Sequence, residues 1–327
     1  MRGALFVAIL ALVACGPGSR QGPGGDDDDG SGGGGGDGGN QQGSGSDGCS
    51  DAAKLIYVVD ENNKLAQFNP STKMFTQLGT INCPAGQDSM GDPAQPFSMA
   101  VDRTAQAYVL FSDDKIYKVD TTQASLPCTA TTWKSSTSPV LQEFGMGYST
   151  DTAGGTTDTL FIAGGKDLNL NGNPPATSTL ATLDTSAFAA TQVGSVKGWP
   201  ELTGNANAEL WGFFPDLEGN AQPLVTQIDK TSGAFMTQYP QAMGGPLDKG
   251  TPAAWAFGFY GGDYWVFLAF EDDSDPLNPT ADPTTVFQIA GPMSTTGTPG
   301  SVVSMTSAGS LIIVGAGVST CAPTMIF

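Results

Sequence analysis

The chain of 327 residues contains no histidine and only 13 lysines and arginines, against 32 aspartates and glutamates. Without histidine, Ser-His-Asp catalysis, Cys-His catalysis and histidine-ligated zinc sites are excluded. Residues 1–50 hold six aspartates and two arginines, so −15 of the formal net charge of −19 falls on residues 51–327. A polyanion of this size repels nucleic acid, and we expect no nucleic-acid partner.

The sequence also lacks a long hydrophobic run. Its longest apolar stretch, residues 4–15, is shorter than the about 20 residues that a membrane-spanning helix needs, and one positive charge, Arg2, precedes it. This stretch therefore predicts an export signal. Gly-rich phosphate loops, nucleophile elbows and metal-binding cysteine spacings are missing too. We therefore expect that the protein is not an enzyme.

The export signal ends in Leu12-Val13-Ala14-Cys15, which resembles the lipobox of bacterial lipoproteins. The resemblance implies that residues 1–14 are removed as a signal peptide and that Cys15 becomes a lipidated N-terminus. Its acyl chains, at about 0.8 kcal/mol per buried methylene, would hold the protein on a membrane. Gly16 replaces the aspartate of the inner-membrane retention signal, so we expect the outer membrane, facing the periplasm or the cell surface. An ordinary secretory signal with a chance cysteine is the alternative.

After the lipidated cysteine, the chain up to residue 50 is almost wholly glycine, serine, aspartate, asparagine, glutamine and proline. Such a segment cannot bury apolar area, so residues 15–50 are predicted to be a disordered tether with a span of about 30 Å. Residues 51–327 differ, because apolar runs and turn signals recur throughout. They are long enough for one large all-β domain.

One short pattern, an apolar strand that ends in Asp, Asn or Ala, returns five times in residues 51–327. Its first residues are 51, 64, 45 and 61 positions apart, a spacing typical of propeller blades. The pattern and the turn at residues 229–233 resemble quinoprotein-like and NHL-like β-propellers. The five copies begin at Leu65, Ile116, Leu180, Val225 and Val286.

A strand rich in small residues precedes four of these units. Alternating small residues, such as Gly145 and Gly147, suit innermost strands crowded around a channel. The first unit lacks such a strand, and residues 312–318 supply one from the C-terminus. We therefore predict an all-β fold, a β-propeller of five four-stranded blades in which the C-terminal strand completes the first blade. A six-bladed ring and a β-sandwich or jelly roll are the alternatives.

Four cysteines remain if Cys15 is lipidated. An even number in an exported chain predicts two disulfide bonds. Closure of the ring would bring Cys321 beside Cys49, and Cys83 would then pair with Cys128 between the first two blades.

Asp167, Asn169 and Asn171, followed by Gly172, have the alternating oxygen ligands and the glycine of a calcium loop. Calcium is thus the one cofactor that the sequence suggests. Ser178 stands where an EF-hand places a bidentate glutamate, so a polar surface turn is the alternative.

Aromatic residues are concentrated in the last two predicted blades. Among them Trp255, Tyr260 and Tyr264 are predicted to bind a ligand, with the turn at residues 260–264 exposing its rings; packing between blades is the alternative. Asp102 and Glu201 flank predicted innermost strands, and a glycosidase would need two such carboxylates roughly 5–10 Å apart.

The sequence resembles bacterial propeller lipoproteins over both the tether and the domain. We predict a membrane-anchored lipoprotein that displays its propeller as a binding module for an envelope protein or a polysaccharide. A glycan-acting hydrolase and a structural envelope protein are the alternatives.

Overall fold

The computed structural model describes residues 48–135, 139–166, 176–219, 221–272 and 280–325. These ranges contain no helix with the length and apolar character that a membrane crossing requires. They hold one 3₁₀ helix, Ala52–Lys54, and otherwise β-strands. The strands are β1 (Ile56–Asp60), β2 (Lys64–Asn69), β3 (Met74–Thr80), β4 (Pro96–Val101), β5 (Gln106–Phe111), β6 (Ile116–Asp120), β7 (Cys128–Ala130), β8 (Glu143–Thr150), β9 (Asp158–Gly165), β10 (Thr177–Asp184), β11 (Ala189–Lys197), β12 (Glu201–Gly204), β13 (Leu210–Phe214), β14 (Leu224–Ile228), β15 (Phe235–Pro240), β16 (Pro252–Tyr260), β17 (Asp263–Asp272), β18 (Thr280–Ala281), β19 (Thr285–Ala290), β20 (Val302–Ser307) and β21 (Ile313–Val318).

The strands form five antiparallel sheets, which are the blades of a β-propeller. Blade 1 has the order β21-β1-β2-β3, blade 2 is β4 to β7, blade 3 is β8 to β11, and blade 4 is β12 to β15. Blade 5 has the order β16-β17-β19-β20, with the two-residue strand β18 added on β17. The predicted propeller of five four-stranded blades is confirmed, and so is the completion of the first blade by the C-terminal strand. The six-bladed and sandwich alternatives are wrong.

The innermost strands β4, β8, β12, β16 and β21 contact one another around the channel. A Cβ atom on Gly147 of β8 would lie 2.7 Å from the carbonyl group of Leu202, and one on Gly145 would overlap the backbone of Pro200. The neighbouring backbones approach so closely that a side chain has no room. The small residues of the innermost strands therefore set the width of the ring, as their alternation predicts.

The innermost strands run in one direction, which gives the channel two different ends. Gly145 faces residues 200–201 and Gly147 faces residues 202–203, so β8 and β12 are parallel. Gly315 faces Met99 and Gly317 faces residues 100–101, so β21 and β4 are parallel too. We call the end where these strands begin the mouth end. The end where they finish is the closure end, because the two ends of the domain meet there.

Hairpin turns at the closure end are held by aspartate or asparagine side chains. In blade 4, Asp229 Oδ1 accepts hydrogen bonds from the backbone nitrogens of Thr231 (3.0 Å) and Ser232 (2.9 Å). The third strands of blades 1, 2 and 3 end in Asn69, Asp120 and Asp184, which accept equivalent bonds. This explains why the repeated strand pattern ends in an acidic or amide residue, since such a side chain stabilises the turn that follows.

Two disulfide bonds join the cysteines that the sequence pairs. Cys49 and Cys321, with Cα atoms 5.8 Å apart, link the start of the domain to the segment after β21. Cys83 and Cys128, 4.9 Å apart at Cα, link the connection between blades 1 and 2 to β7 of blade 2. The first bond fastens the ring where its two chain ends meet.

Candidate functional site

A cavity of about 90 Å³ opens at the mouth end, and we call it the mouth cavity. It lies where the innermost strands begin, so each wall comes from a different blade. Its larger lining side chains are Phe97 in β4, Trp199 and Glu201 at the start of β12, Trp255 in β16 and Val314 in β21. The position follows from the fold, because the first residues of parallel innermost strands converge on one end of the channel.

Among the described residues that line the mouth cavity, Glu201 is the one that carries a charged group, and it is only 3% exposed. Its Oε2 atom accepts a hydrogen bond from Ser98 Oγ at 3.0 Å, and the backbone nitrogen of Met146 donates a second bond to the carboxylate. These bonds join blades 2, 3 and 4 across the channel. Burial raises the pKa of the Glu201 carboxyl well above its usual value, and the two hydrogen bonds offset only part of that effect.

The two tryptophans of the mouth cavity are held in different ways. Trp255 is 8% exposed and packs in the apolar core between blades 4 and 5. Trp199 is 3% exposed, its six-membered ring covers Gly165, and its Nε1 atom has no hydrogen-bond partner in the described part of the structure. Buried donors are nearly always paired in native proteins, so this indole N–H is an unusual feature of the wall of the mouth cavity.

A second cavity of about 360 Å³ lies next to the mouth cavity and shares Trp199 with it. Phe214, Leu217 and Phe235 of blade 4 form much of its apolar wall. Trp199 thus stands between a small recess at the channel axis and a wider one over blade 4. A ligand larger than one group could contact both.

The structure places the predicted ligand-binding aromatic residues in three different settings. Trp255 lines the mouth cavity, whereas Tyr260 is half-buried against the core between blades 5 and 1. Tyr264 is fully buried, with its ring centroid 4.8 Å from that of Trp211 and 5.8 Å from that of Phe257. The expectation that the turn exposes Tyr264 is wrong, because β17 already begins at Asp263 and directs the tyrosine into the packing between blades 4 and 5.

Asp102 and Glu201 lie at opposite ends of the channel. Asp102 follows the last residue of β4, and its Oδ1 atom accepts hydrogen bonds from the backbone nitrogens of Thr104 (2.8 Å) and Gln106 (3.0 Å). Ser98, the partner of Glu201, stands four residues earlier, which corresponds to about 13 Å along a strand. The structure therefore does not bring these two carboxylates to the spacing of a glycosidase pair.

Sequence reasoning missed Arg103, which organises the closure end. Its Nε atom lies 3.1 Å from both carboxylate oxygens of Asp158, and its Nη2 atom donates to the carbonyl of Gly155 at 2.7 Å. Thr320 Oγ1 donates to Asp158 at 2.6 Å, which adds the segment after β21. One signal was present, because Arg103 is the only arginine in residues 51–327.

Several predicted sites fall outside the described residues. These are the lipobox with Cys15, the tether up to residue 47 and the calcium ligands Asp167, Asn169 and Asn171. In the ranges that are described, no three histidine, cysteine, aspartate or glutamate side chains lie close enough to hold a metal ion. The calcium loop stays a prediction.

No protein-family description matches the chain, and no curated protein matches it in sequence. Among solved structures it is similar to an exo-β-1,3-galactanase from Phanerochaete chrysosporium bound to β-1,3-galactotriose, at 11% identity over 65% of this chain and 51% of that chain, with a TM-score of 0.40. It is also similar to TolB from Acinetobacter baumannii, at 10% identity over 83% and 68% of the two chains, again with a TM-score of 0.40. A GH43 β-1,3-galactosidase with galactodeoxynojirimycin matches at 10% identity over 69% and 80%, with a TM-score of 0.41. The chain spans about half the length of the galactanase, and likenesses this distant say nothing of its activity.

Proposed function

We propose that the protein is a lipoprotein, anchored through Cys15 to the outer membrane, whose propeller binds a partner at the mouth cavity. The partner is an envelope protein or a glycan. One observation carries this proposal: the first described residues of the domain lie at the closure end, and the mouth cavity lies at the other end of the channel.

The position of the chain start follows from two contacts. Cys49 is bonded to Cys321, three residues after the end of β21. The backbone nitrogen of Ser50 donates to the carbonyl oxygen of Arg103 at 3.0 Å, two residues after the end of β4. Both partners lie where innermost strands finish. The covalent attachment of the predicted tether is therefore at the end opposite to the mouth cavity, which is the arrangement a displayed binding module needs.

Binding is favoured over glycan hydrolysis by the state of the two carboxylates. Asp102 is engaged in its own turn, and Glu201 is buried without a second carboxylate among the residues that line the mouth cavity. The cavity instead offers aromatic surface, which contributes strongly to recognition when it is rigidly held. A purely structural envelope role has no specific observation in its favour.

The test uses the full-length protein in the cells that make it. A photoreactive phenylalanine derivative is placed at Phe97, in the mouth cavity, and at Thr122, in an exposed turn of the closure end, as the matched control. We expect a discrete cross-linked product from position 97 alone, which protease or glycosidase digestion assigns to a protein or a glycan. The same products from both positions, or none from position 97, would contradict a binding role for the mouth.

The anchor is tested separately with Cys15→Ser. We expect this variant to leave the membrane fraction or to remain unprocessed, since the lipid supplies the attachment. Unchanged membrane association would overturn the lipoprotein assignment while leaving the cross-linking result intact.

A further inference from the structure

We propose that the mouth cavity binds an alkylated ammonium group, a quaternary ammonium of the choline type, between its aromatic side chains and Glu201. This inference rests on the proposed function, because it assigns a ligand chemistry to the same cavity.

The size of the cavity limits its occupant to a single small group. At about 90 Å³ it is far smaller than the roughly 300 Å³ at which pockets for drug-sized ligands begin. A folded segment or a chain of sugar rings does not enter such a recess, whereas one head group does. The rest of a larger ligand would lie outside it, toward the second cavity beyond Trp199.

The lining of the cavity suits a cation that needs no hydrogen bonds. Phe97, Trp199 and Trp255 come from three different blades, so aromatic surface borders the recess on several sides. Aromatic faces attract cations, and tryptophan does so most strongly. A primary ammonium must replace three hydrogen bonds to water, and the carboxyl of Glu201 is the one side-chain acceptor in this lining. A quaternary ammonium has no N–H groups and loses none on entry.

The charge of the site favours a cation over a neutral or anionic ligand. Glu201 lines the cavity, and the described part of the lining contains no lysine or arginine. None of the ion pairs found in the described residues includes Glu201. The domain carries a formal net charge of −15, since residues 1–50 account for −4 of the total of −19, and this field attracts cations toward the surface. Burial without a counter-charge raises the pKa of Glu201 and so favours the protonated carboxyl in the empty cavity, and a bound cation would supply the counter-charge that stabilises the ionised form.

The experiment measures binding of four small probes to the full-length protein by calorimetry at neutral pH. The probes are choline, its uncharged isostere 3,3-dimethylbutanol, ethanolamine and methyl glucoside. We expect choline to bind at least about tenfold more tightly than each of the other three, because only choline combines positive charge with a weakly hydrated surface. Equal binding of choline and its isostere would overturn the proposal, and so would preferred binding of ethanolamine or the glucoside.

Two variants test whether the binding site is the mouth cavity. Glu201→Gln keeps the shape and the acceptor for Ser98 but removes the charge, and Trp255→Leu removes one aromatic face. Each should weaken choline binding by about tenfold or more. Trp133→Leu is the matched control: Trp133 is also buried, with an unpaired Nε1, but it lies outside the cavity and should leave binding unchanged.

Thermal unfolding of each variant separates loss of binding from loss of folding. Choline binding that survives Glu201→Gln in a folded protein would overturn the proposal, as would no choline binding by the parent protein. A mouth-specific cross-link with no choline binding would leave the proposed function standing and remove only this ligand. If position 97 gave no specific cross-link but choline still bound, the proposed partner binding would fall and the ligand assignment would stand.

Discussion

The two ends of the channel are built from the same five strands but satisfy their polar groups very differently. At the closure end, Asp158 accepts hydrogen bonds from both Arg103 and Thr320, and Arg103 Nη1 also lies 3.4 Å from Cys49 Sγ. At the mouth end, Trp199 has a buried N–H without a partner and Glu201 is a buried carboxyl without a counter-charge. At the closure end a charged pair and a disulfide bond join the chain ends, whereas at the mouth end a buried carboxyl and an indole N–H lie beside a cavity.

The two ends differ because the ring is closed at only one of them. When the last strand completes the first blade, detachment of that strand opens the ring. Stabilising interactions are therefore most useful at this strand. Here β21 is held by its pairing with β1, by the Cys49–Cys321 bond and by the bond from Thr320 to Asp158. Neither end of the described domain lies at the mouth end, so unsatisfied polar groups there do not weaken the closure of the ring.

The largest expected effect comes from removing the disulfide bond at the closure end. The bond joins cysteines 272 positions apart, and in the chain-entropy model its loss lowers the free energy of unfolding by about 5 kcal/mol. Denaturant unfolding of a Cys49→Ala/Cys321→Ala double variant measures this loss. A Cys83→Ala/Cys128→Ala double variant, which opens a 45-residue separation, should lose less. The opposite ranking would mean that the closure end is not the critical joint.

Next in size is the ion pair that Arg103 makes with Asp158. The two side chains are only 13% and 6% exposed, so Arg103→Met leaves a buried carboxylate unpaired and should cost about 3 kcal/mol. Lys54→Met is the control, because its pair with Asp51 is exposed and should contribute less than about 1 kcal/mol. Similar losses in both variants, measured by denaturant unfolding, would contradict the special status of Arg103.

Much of the closure end could be predicted from the sequence. Disulfide pairing, strand exchange and the aspartate turns depend on local patterns and on the position of a residue within its repeat. Asp229 illustrates this, since its turn is formed by the three residues that follow it. Residues 312–318 were placed correctly in blade 1 because that blade lacked an innermost strand.

The mouth end could not be predicted in the same way. Phe97, Trp199 and Trp255 come from blades 2, 4 and 5, and their meeting depends on how far each strand reaches toward the channel end. Glu201 was noticed, but its predicted partner Asp102 lies at the other end. No spacing along the chain reports such cross-channel distances, and the burial of Tyr264 likewise depended on where β17 begins.

Glu201→Gln is expected to raise the free energy of unfolding, by a smaller amount than the two preceding changes lower it. Below pH 4.5 the carboxyl is protonated in both states and imposes no penalty. As pH rises, the unfolded state releases its proton first, because the folded-state pKa is raised, and stability falls by about 1.4 kcal/mol per pH unit until the pH reaches the folded-state pKa. Glutamine does not titrate, so the variant should become more stable than the parent as pH increases. Thermal unfolding of both proteins across this pH range measures the difference, and a difference that does not change with pH would contradict the prediction.

The smallest expected effect on stability concerns Asp229, which holds an exposed turn at the closure end and titrates in acid. Hydrogen bonds from Thr231 and then Ser232 lower the pKa of Asp229 from 3.8 to about 2. A depressed folded-state pKa adds stability that is fully present above pH 3.8 and is lost as the pH falls toward 2. Thr231→Val removes the hydroxyl bond and should move the titration of Asp229, followed by carboxyl NMR, back toward 3.8. The change in unfolding should be slight, because the carboxylate is exposed and screened by solvent. A Thr231→Val variant that titrates like the parent would contradict the expected titration, because the Ser232 hydroxyl and the two backbone nitrogens would then suffice to keep the pKa of Asp229 low. The low pKa would then depend on the position of the carboxylate in its turn rather than on the Thr231 hydroxyl.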